Sequence, residues 1–383
     1  MPQMKLPAVF MRGGTSKAVM LHARDLPANR EGWEPIFLAF MGSPDPNMRQ
    51  LDGMGGGISS LSKVCVIGPP THPDADVDYT FAQVRIERAQ VDYSGNCGNM
   101  SSAVGPFAVD EGLVPKPLDG KAVVRIHNTN TKKIIVSHFA MDGEEAAVDG
   151  DMVLDGVAGR GAPIRLEFLS PGGARTGKLL PTGKAVDLLD VAGVGRIPAS
   201  LVDAANPVVC VPADAIGGDI TATPMAIEQD GALMQRLETV RRAASVAMGI
   251  APDLDAAGNM SWPAIAFVAP RTAMMTLSGR VLEPRDMDIA VRVISSGQPH
   301  RATPLTGALC LSVATRVPGS IPNEMARNPA VGASRIRIGH PSGLIEVDAK
   351  VTDGASGGQP NAEYAAVYRT ARRLFEGRVC YRS

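Results

Sequence analysis

The chain has 383 residues, a length that suits two domains of ordinary size better than one. Its 38 Lys and Arg residues nearly balance its 39 Asp and Glu residues, and basic residues cluster only in pairs, so nucleic acid is not an expected partner. The first residues lack the apolar core of a signal peptide and no apolar run approaches the roughly 20 residues of a membrane span, so we expect a soluble, cytoplasmic protein.

Short apolar runs bounded by turn residues recur along the chain, and their Val and Ile content predicts strands. The predicted strands cover residues 8–11, 18–21, 62–67, 79–86, 121–127, 133–139 and 144–149. Helical spacing of apolar residues predicts fewer helices, at 32–41, 99–111, 231–248, 306–317 and 363–375. Many strands with few helices in each half predict an α+β fold.

The two halves have a similar organisation. A polar loop at 95–99 precedes a helix of small residues, and a second polar loop at 300–307 precedes an apolar helix. A boundary at 184–190, or at 193–198, would separate two domains of similar size. We therefore predict domains at 1–186 and 187–383, with both helix openings facing one cleft.

Cys97 differs from the other cysteines because it lies among Gly and Asn residues, whereas Cys65, Cys210 and Cys310 lie in apolar runs. The chain has five cysteines and no CxxC pair, which disfavours a disulfide framework and structural zinc. A cysteine just before a helix has its thiolate stabilised by the free N–H groups there, which suits proton transfer at carbon. The alternative is a tight turn that happens to contain a cysteine.

Lys63 follows a run of glycines and serines, at 53–62, and opens an apolar strand. Backbone N–H and hydroxyl donors of such a run suit a carboxylate ligand. A lysine at this point is either a charge on an edge strand or an amine in a dry site that acts as a base. Because no HExxH, GxGxxG or metal-spaced His and carboxylate set occurs, we expect neither metal nor cofactor, and proton transfer at carbon is the simplest chemistry for these residues.

A set of motifs resembles the PrpF-type isomerases, which include 2-methylaconitate cis–trans isomerase, methylitaconate Δ-isomerase and 4-oxalomesaconate tautomerase. The resemblance runs almost from end to end. It rests on MRGGTSK (11–17), GSPDP (42–46), LDGMGG (51–56), SKV (62–64), GNCGN (95–99), AVGPFA (103–108), HNTNT (127–131), LPTG (180–183), DAANP (203–207) and RIGHPSG (337–343).

The resemblance implies the diaminopimelate-epimerase-like fold, in which each of two similar domains has a helix enclosed by a curled, mostly antiparallel sheet. It also implies an active site in the cleft between the two domains. It implies that Lys63 and Cys97 are the acid–base pair. The second cysteine of the related epimerases would fall at 304–307, where this chain has none, so an amino-acid epimerase is disfavoured.

The predicted reaction is a shift of a proton and a double bond in an unsaturated di- or tricarboxylic acid of the aconitate, methylaconitate or methylitaconate type. The sequence does not identify the base or the particular substrate. The alternatives are 4-oxalomesaconate tautomerase and, in another class, a non-catalytic accessory protein that binds an aconitase-like enzyme. A homodimer would be ordinary for such an enzyme. The predicted substrate-binding residues are Thr15, Ser16, Ser60, Asn96, Gly98, Asn99, Met100, Asn206, Arg301, Thr306 and Gly307.

Overall fold

A computed structural model describes residues 3–93, 95–117, 119–295, 297–326, 335–354 and 358–382. The chain divides into two compact units. Unit 1 comprises Met1–Glu167 and Tyr368–Ser383, and unit 2 comprises Phe168–Val367. None of the helices in the described ranges combines the length and apolar character needed to span a bilayer.

Unit 1 is built mostly from strands. Its elements are β1 (Met4–Gly13), β2 (Ser16–His22), α1 (Trp33–Met41), β3 (Lys63–Gly68), β4 (Val77–Val84), β5 (Val91–Asp92), α2 (Gly98–Asp110), β6 (Lys121–Asn128), β7 (Lys133–Asp142), β8 (Glu145–Ala146) and most of β9 (Ile164–Leu169). Single 3₁₀ turns occur at Ala23–Asp25, Arg30–Gly32 and Ser59–Leu61.

Unit 2 begins within β9 and contains more helices. Its elements are β10 (Asp187–Val191), β11 (Gly195–Ala204), β12 (Asn206–Pro212), a 3₁₀ turn (Asp214–Ile216), α3 (Pro224–Gln229), α4 (Gly231–Ala247), α5 (Leu254–Gly258), β13 (Ala264–Pro270), β14 (Met274–Met275), β15 (Val281–Leu282), β16 (Ile289–Ser295), β17 (Gln298–Pro299), α6 (Leu305–Ala314), α7 (Ile321–Met325), β18 (Ile336–His340), β19 (Gly343–Thr352) and most of β20 (Asn361–Arg369). The last strand, β21 (Ala371–Tyr381), belongs to unit 1.

Strand pairing repeats in the same order in the two units. In unit 1, β1–β2 is antiparallel, β2–β3 parallel, β3–β4 antiparallel, β4–β6 parallel and β6–β7 antiparallel. In unit 2, β11–β12, β12–β13, β13–β16, β16–β18 and β18–β19 follow the same alternation. The helices α2 and α6 occupy the same place in the two patterns, before β6 and β18. The similar organisation of the two halves is therefore present in the strand pairing of the backbone.

Each of these two helices is buried along most of its length. Every residue of α2 from Met100 to Val109 is buried, and the helix packs against β1, β2, β3, β6, β7 and β21. Small residues allow this close packing, since a Cβ on Gly105 would lie 2.7 Å from the Ser137 hydroxyl. In unit 2, α6 is buried from Gly307 to Ala314 and packs against β11, β12 and β19.

The predicted α+β class is confirmed, and four of the five predicted helices match α1, α2, α4 and α6 within a few residues. The apolar face predicted for the longest helix is buried in α4, at Leu233, Leu237, Val240 and Ala244. The helix predicted at 363–375 is wrong, because that segment forms β20 and β21. There β20 pairs with β19 and β21 pairs with β1, and strand pairing overrides the local helical spacing.

The boundary predicted between residues 186 and 187 differs from the observed division. Residue 187 opens β10, which pairs with β11 inside unit 2, so the chain enters unit 2 before this point. The C-terminal strand β21 pairs along the whole of β1, from Met4 to Gly13. This pairing returns the last residues to unit 1, which no local feature of the sequence indicates.

Candidate active site

Lys63 is the first residue of β3 and is only 7% exposed. In the β3–β4 register it lies opposite Gln83, and its Nζ donates a hydrogen bond to Gln83 Oε1 at 2.5 Å. The Nζ atom also lies 5.0 Å from the centre of the Phe81 ring. The amine is therefore largely buried, and its role as a base stays a prediction.

Two backbone carbonyls fix the orientation of the Gln83 amide. Its Nε2 donates to Ser59 O at 3.0 Å and to Ser62 O at 2.8 Å, which leaves Oε1 to face the lysine. The 3₁₀ turn Ser59–Leu61, which contains the predicted ligand Ser60, thus lies directly beside the support of Lys63. Sequence reasoning missed Gln83, since only the strand register brings it opposite the lysine.

Cys97 is the N-cap residue of α2, is half-buried, and makes no side-chain capping bond. Its carbonyl accepts from Ser101 N at 2.9 Å and from Ser101 Oγ at 3.1 Å. Because the thiol does not cap the helix, the N–H groups of Gly98, Asn99 and Met100 receive no bond from it and the thiol itself remains available. The predicted position of Cys97 at a helix opening is confirmed.

Lys63 opens β3 and Cys97 caps α2, and these two elements pack against each other around the buried Cys65 of β3. Burial raises the pKa of Cys65 well above its usual value, Cys97 raises it further, and Lys63 lowers it. Cys65 is fully buried and its Sγ lies 3.8 Å from Tyr79 Oη. The phenol is also fully buried, so its pKa is raised as well. Cys65 and Tyr79 therefore stay uncharged at neutral pH.

Thr15 and Asn99 are brought together at the opening of α2. Asn99 Nδ2 donates to Thr15 Oγ1 at 3.1 Å. The close approach of the β1–β2 turn to Asn99 depends on two glycines. A Cβ on Gly13 would lie 2.7 Å from Asn99 O. A Cβ on Gly14, whose φ is +53°, would lie 2.3 Å from Asn99 Oδ1. Any larger side chain at either position would clash with the helix opening.

The other predicted ligands of unit 1 differ in their burial and in their hydrogen bonds. Asn96 Oδ1 accepts from Asn128 Nδ2 at 3.2 Å and from Ser101 Oγ at 3.3 Å, so its carbonyl is engaged in the scaffold. Ser16 opens β2 and is 3% exposed. Met100 is fully buried, so only its backbone amide suits the predicted role.

In unit 2, Asn206 opens β12 and its Nδ2 donates to Thr306 Oγ1 at 2.8 Å. Thr306 is the second residue of α6, as Asn99 is the second residue of α2. In both units, the second residue of the buried helix thus bonds to a residue at the start of the second strand of a hairpin: Thr15 just before β2 and Asn206 at the start of β12. Gly307 follows in the same turn and is buried, whereas Arg301 lies on the preceding loop and is exposed.

The candidate acid–base residues Lys63 and Cys97 have no counterpart at the equivalent positions of unit 2. Ala264 opens β13, where Lys63 opens β3, and Pro304 is the N-cap residue of α6, where Cys97 caps α2. The cysteine of α6, Cys310, lies further along the helix, and burial raises the pKa of its thiol to about 12. A pair of opposed thiols of the epimerase kind is not formed at the two helix openings.

Among the residues that the structure describes, no three His, Cys, Asp or Glu side chains are grouped so as to hold a metal ion. The expected independence from metals and cofactors stays a prediction.

Comparison with known proteins identifies the class. The family model described as "PrpF protein" matches residues 3–382. A 3-methylitaconate isomerase of Eubacterium barkeri is 42% identical over 380 residues, covering 98% of this chain and 97% of that protein. A 2-methyl-aconitate isomerase of Shewanella oneidensis is 37% identical over 393 residues, covering 99% and 97%.

A solved structure, the crystal structure of methylitaconate-delta-isomerase, matches with a TM-score of 0.92 and 42% identity, covering 100% of this chain and 96% of that one. The chain belongs to the PrpF family. It is an isomerase, which confirms the predicted family and the predicted class of enzyme.

Proposed function

We propose that this isomerase shifts a proton and a double bond in an unsaturated dicarboxylic or tricarboxylic acid of the methylitaconate or methylaconitate type, with Lys63 and Cys97 as its acid–base pair. The observation that carries the proposal is geometric: Lys63 opens β3, Cys97 is the N-cap residue of α2, and α2 packs against β3. The names of the two relatives compared above support the substrate class.

The chemistry needs one group to remove a proton and one to return it. One of Lys63 and Cys97 removes a proton from the carbon next to the double bond, which leaves an allylic carbanion delocalised into the carboxylate. The same residue or the other one returns a proton at the far carbon, or at the original carbon after rotation. No atom is lost and no electron pair leaves the substrate, so the reaction needs no oxidant or reductant.

The developing negative charge needs donors that are already oriented. The N–H groups at the opening of α2 have this property, because the helix dipole and the backbone geometry direct them to one point. They belong to Gly98, Asn99 and Met100, and they adjoin the Cys97 thiol. The contribution of Asn206, Arg301, Thr306 and Gly307 to binding the same substrate stays a prediction.

We also propose that each unit has the diaminopimelate-epimerase-like fold. The support is internal: both units repeat the same alternation of parallel and antiparallel pairs, and each has one largely buried helix, α2 or α6, packed against several strands.

The test is proton exchange and isomerisation in D₂O, followed by NMR, with methylitaconate, 2-methylaconitate, aconitate and 4-oxalomesaconate as substrates. Lys63→Met and Cys97→Ser should each lower kcat by about 10²-fold or more, the scale of positioned acid–base catalysis. Lys121→Met and Cys380→Ser change an exposed lysine and an exposed cysteine and should leave kcat unchanged. A wild-type enzyme that is inert on all four acids would refute the proposal, and the identity of the best substrate decides between the enzyme types.

A further inference from the structure

Arg369 is a buried cation that sequence analysis did not single out. It ends β20, belongs to unit 1, and is 7% exposed. Its Nε donates to Asn99 Oδ1 at 3.1 Å, and its Nη1 donates to the carbonyl of Tyr368 at 2.9 Å. Both acceptors are neutral.

The charge of Arg369 has no counterion among the residues that the structure describes. No carboxylate in those ranges forms an ion pair with it, and the remaining positions carry no Asp or Glu side chain. Burial lowers the pKa of Arg369 to about 10 and no carboxylate counters the shift, so the guanidinium remains charged at neutral pH. A buried charge without a partner is costly, and this cost indicates an anion from outside the chain.

Other buried arginines differ in this respect. Arg292, in unit 2, is 2% exposed, and burial likewise lowers its pKa to about 10, but Asp219 acts in the opposite direction. Arg241, also in unit 2 and 5% exposed, pairs with Glu238 at 2.7 Å.

The bond from Arg369 decides which way the Asn99 amide points. A guanidinium can only donate, so Asn99 Oδ1 must face it, and Nδ2 points towards Thr15, which is exposed. The half-buried Asn99 therefore directs its Nδ2 donor away from the Arg369 guanidinium, which holds Oδ1. This donor lies beside the N–H groups at the opening of α2. The arrangement presents positive potential and a fixed N–H donor to an anionic group.

We propose that Arg369, acting through Asn99, completes a carboxylate-binding subsite at the opening of α2. Arg369 is a positioning residue: it supplies the charge and orients the donor, while Asn99 and the helix N–H groups touch the ligand. The assignment of the ligand as a substrate carboxylate rests on the proposed function, whereas the anion site itself does not.

The test uses tricarballylate, a saturated tricarboxylate without a double bond to shift, and measures its binding by calorimetry. Arg369→Met should weaken binding about tenfold or more, the scale of a lost charge-assisted hydrogen bond. It should raise KM for the active substrate more than it lowers kcat, and Arg369→Lys should restore part of the affinity. Arg196→Met, which removes an exposed arginine of unit 2, is the control for net charge.

Asn99→Asp provides the second arm and does not depend on the folding of the Arg369 variants. It places a carboxylate against the guanidinium, so thermal stability should rise while tricarballylate binding is lost. The subsite is refuted if wild type does not bind tricarballylate, if Arg369→Met binds it within about twofold of wild type, or if Asn99→Asp still binds it. Binding that depends on Arg369 in an enzyme that shifts no double bond would instead refute the proposed function and leave the subsite standing.

Discussion

The hydrogen bond between Lys63 and Gln83 allows a quantitative prediction about catalysis. Gln83 Oε1 accepts from Lys63 Nζ at 2.5 Å and is its sole hydrogen-bond acceptor within the described part of the chain. Gln83→Leu removes this acceptor while the side chain keeps a similar volume. A hydrogen bond to a charged group contributes about 1.5–3 kcal/mol, and each 1.36 kcal/mol corresponds to about a tenfold change in rate.

We therefore expect Gln83→Leu to lower kcat roughly tenfold to a hundredfold. KM should change little, because Gln83 supports the amine and is not among the predicted carboxylate ligands. Gln83→Glu keeps an acceptor but adds a negative charge that favours the ammonium form. If Lys63 acts as the base, the pH–rate profile of this variant should move to higher pH.

The assay is the initial rate of double-bond migration on the best substrate, measured across pH for wild type and both variants. Gln235→Leu, at an exposed position on α4, is the matched control and should behave as wild type. Circular dichroism and thermal unfolding establish that each variant is folded. A folded Gln83→Leu enzyme with kcat within about threefold of wild type would show that catalysis does not depend on the bond between Gln83 and the Lys63 amine.

Two further predictions follow from burial and charge. Iodoacetamide should modify the half-buried Cys97 in the native protein and leave Cys65 unmodified, because burial raises the pKa of the Cys65 thiol. Peptide mass spectrometry measures the modification of both cysteines. Modification of Cys65 before unfolding would contradict the structure. Burial alone would raise the pKa of Glu111, but hydrogen bonds from His22 and Arg373 outweigh it and hold the pKa below its usual value. The ionised Glu111 therefore stabilises the fold above its unfolded pKa of about 4.3, and that contribution is lost as pH falls through the lower folded value. Glu111→Gln should lower the melting temperature at neutral pH and approach wild type in acid, and a difference that does not vary with pH would refute the assignment.

Local sequence signals determined the positions of the chemical groups along the chain. Glycine and asparagine around Cys97 predicted a helix opening, and α2 begins at the next residue. The apolar run after Lys63 predicted β3. These features depend on neighbouring residues alone, so the sequence predicts them without knowledge of the tertiary structure.

The partners of those groups depend on contacts that are distant in sequence. Gln83 meets Lys63 only through the β3–β4 register, and Arg369 meets Asn99 across 270 positions. The segment that contains Arg369 was predicted as a helix, because its apolar spacing suits either structure, and only pairing with β19 and β1 makes it two strands. Sequence by itself therefore determined the class of fold, the family and the candidate acid–base pair, since these rest on local pattern and motif. Tertiary structure decided the boundary of the units, the support of Lys63 and the uncompensated charge beside Asn99, because strand register and burial arise only when remote segments pack together.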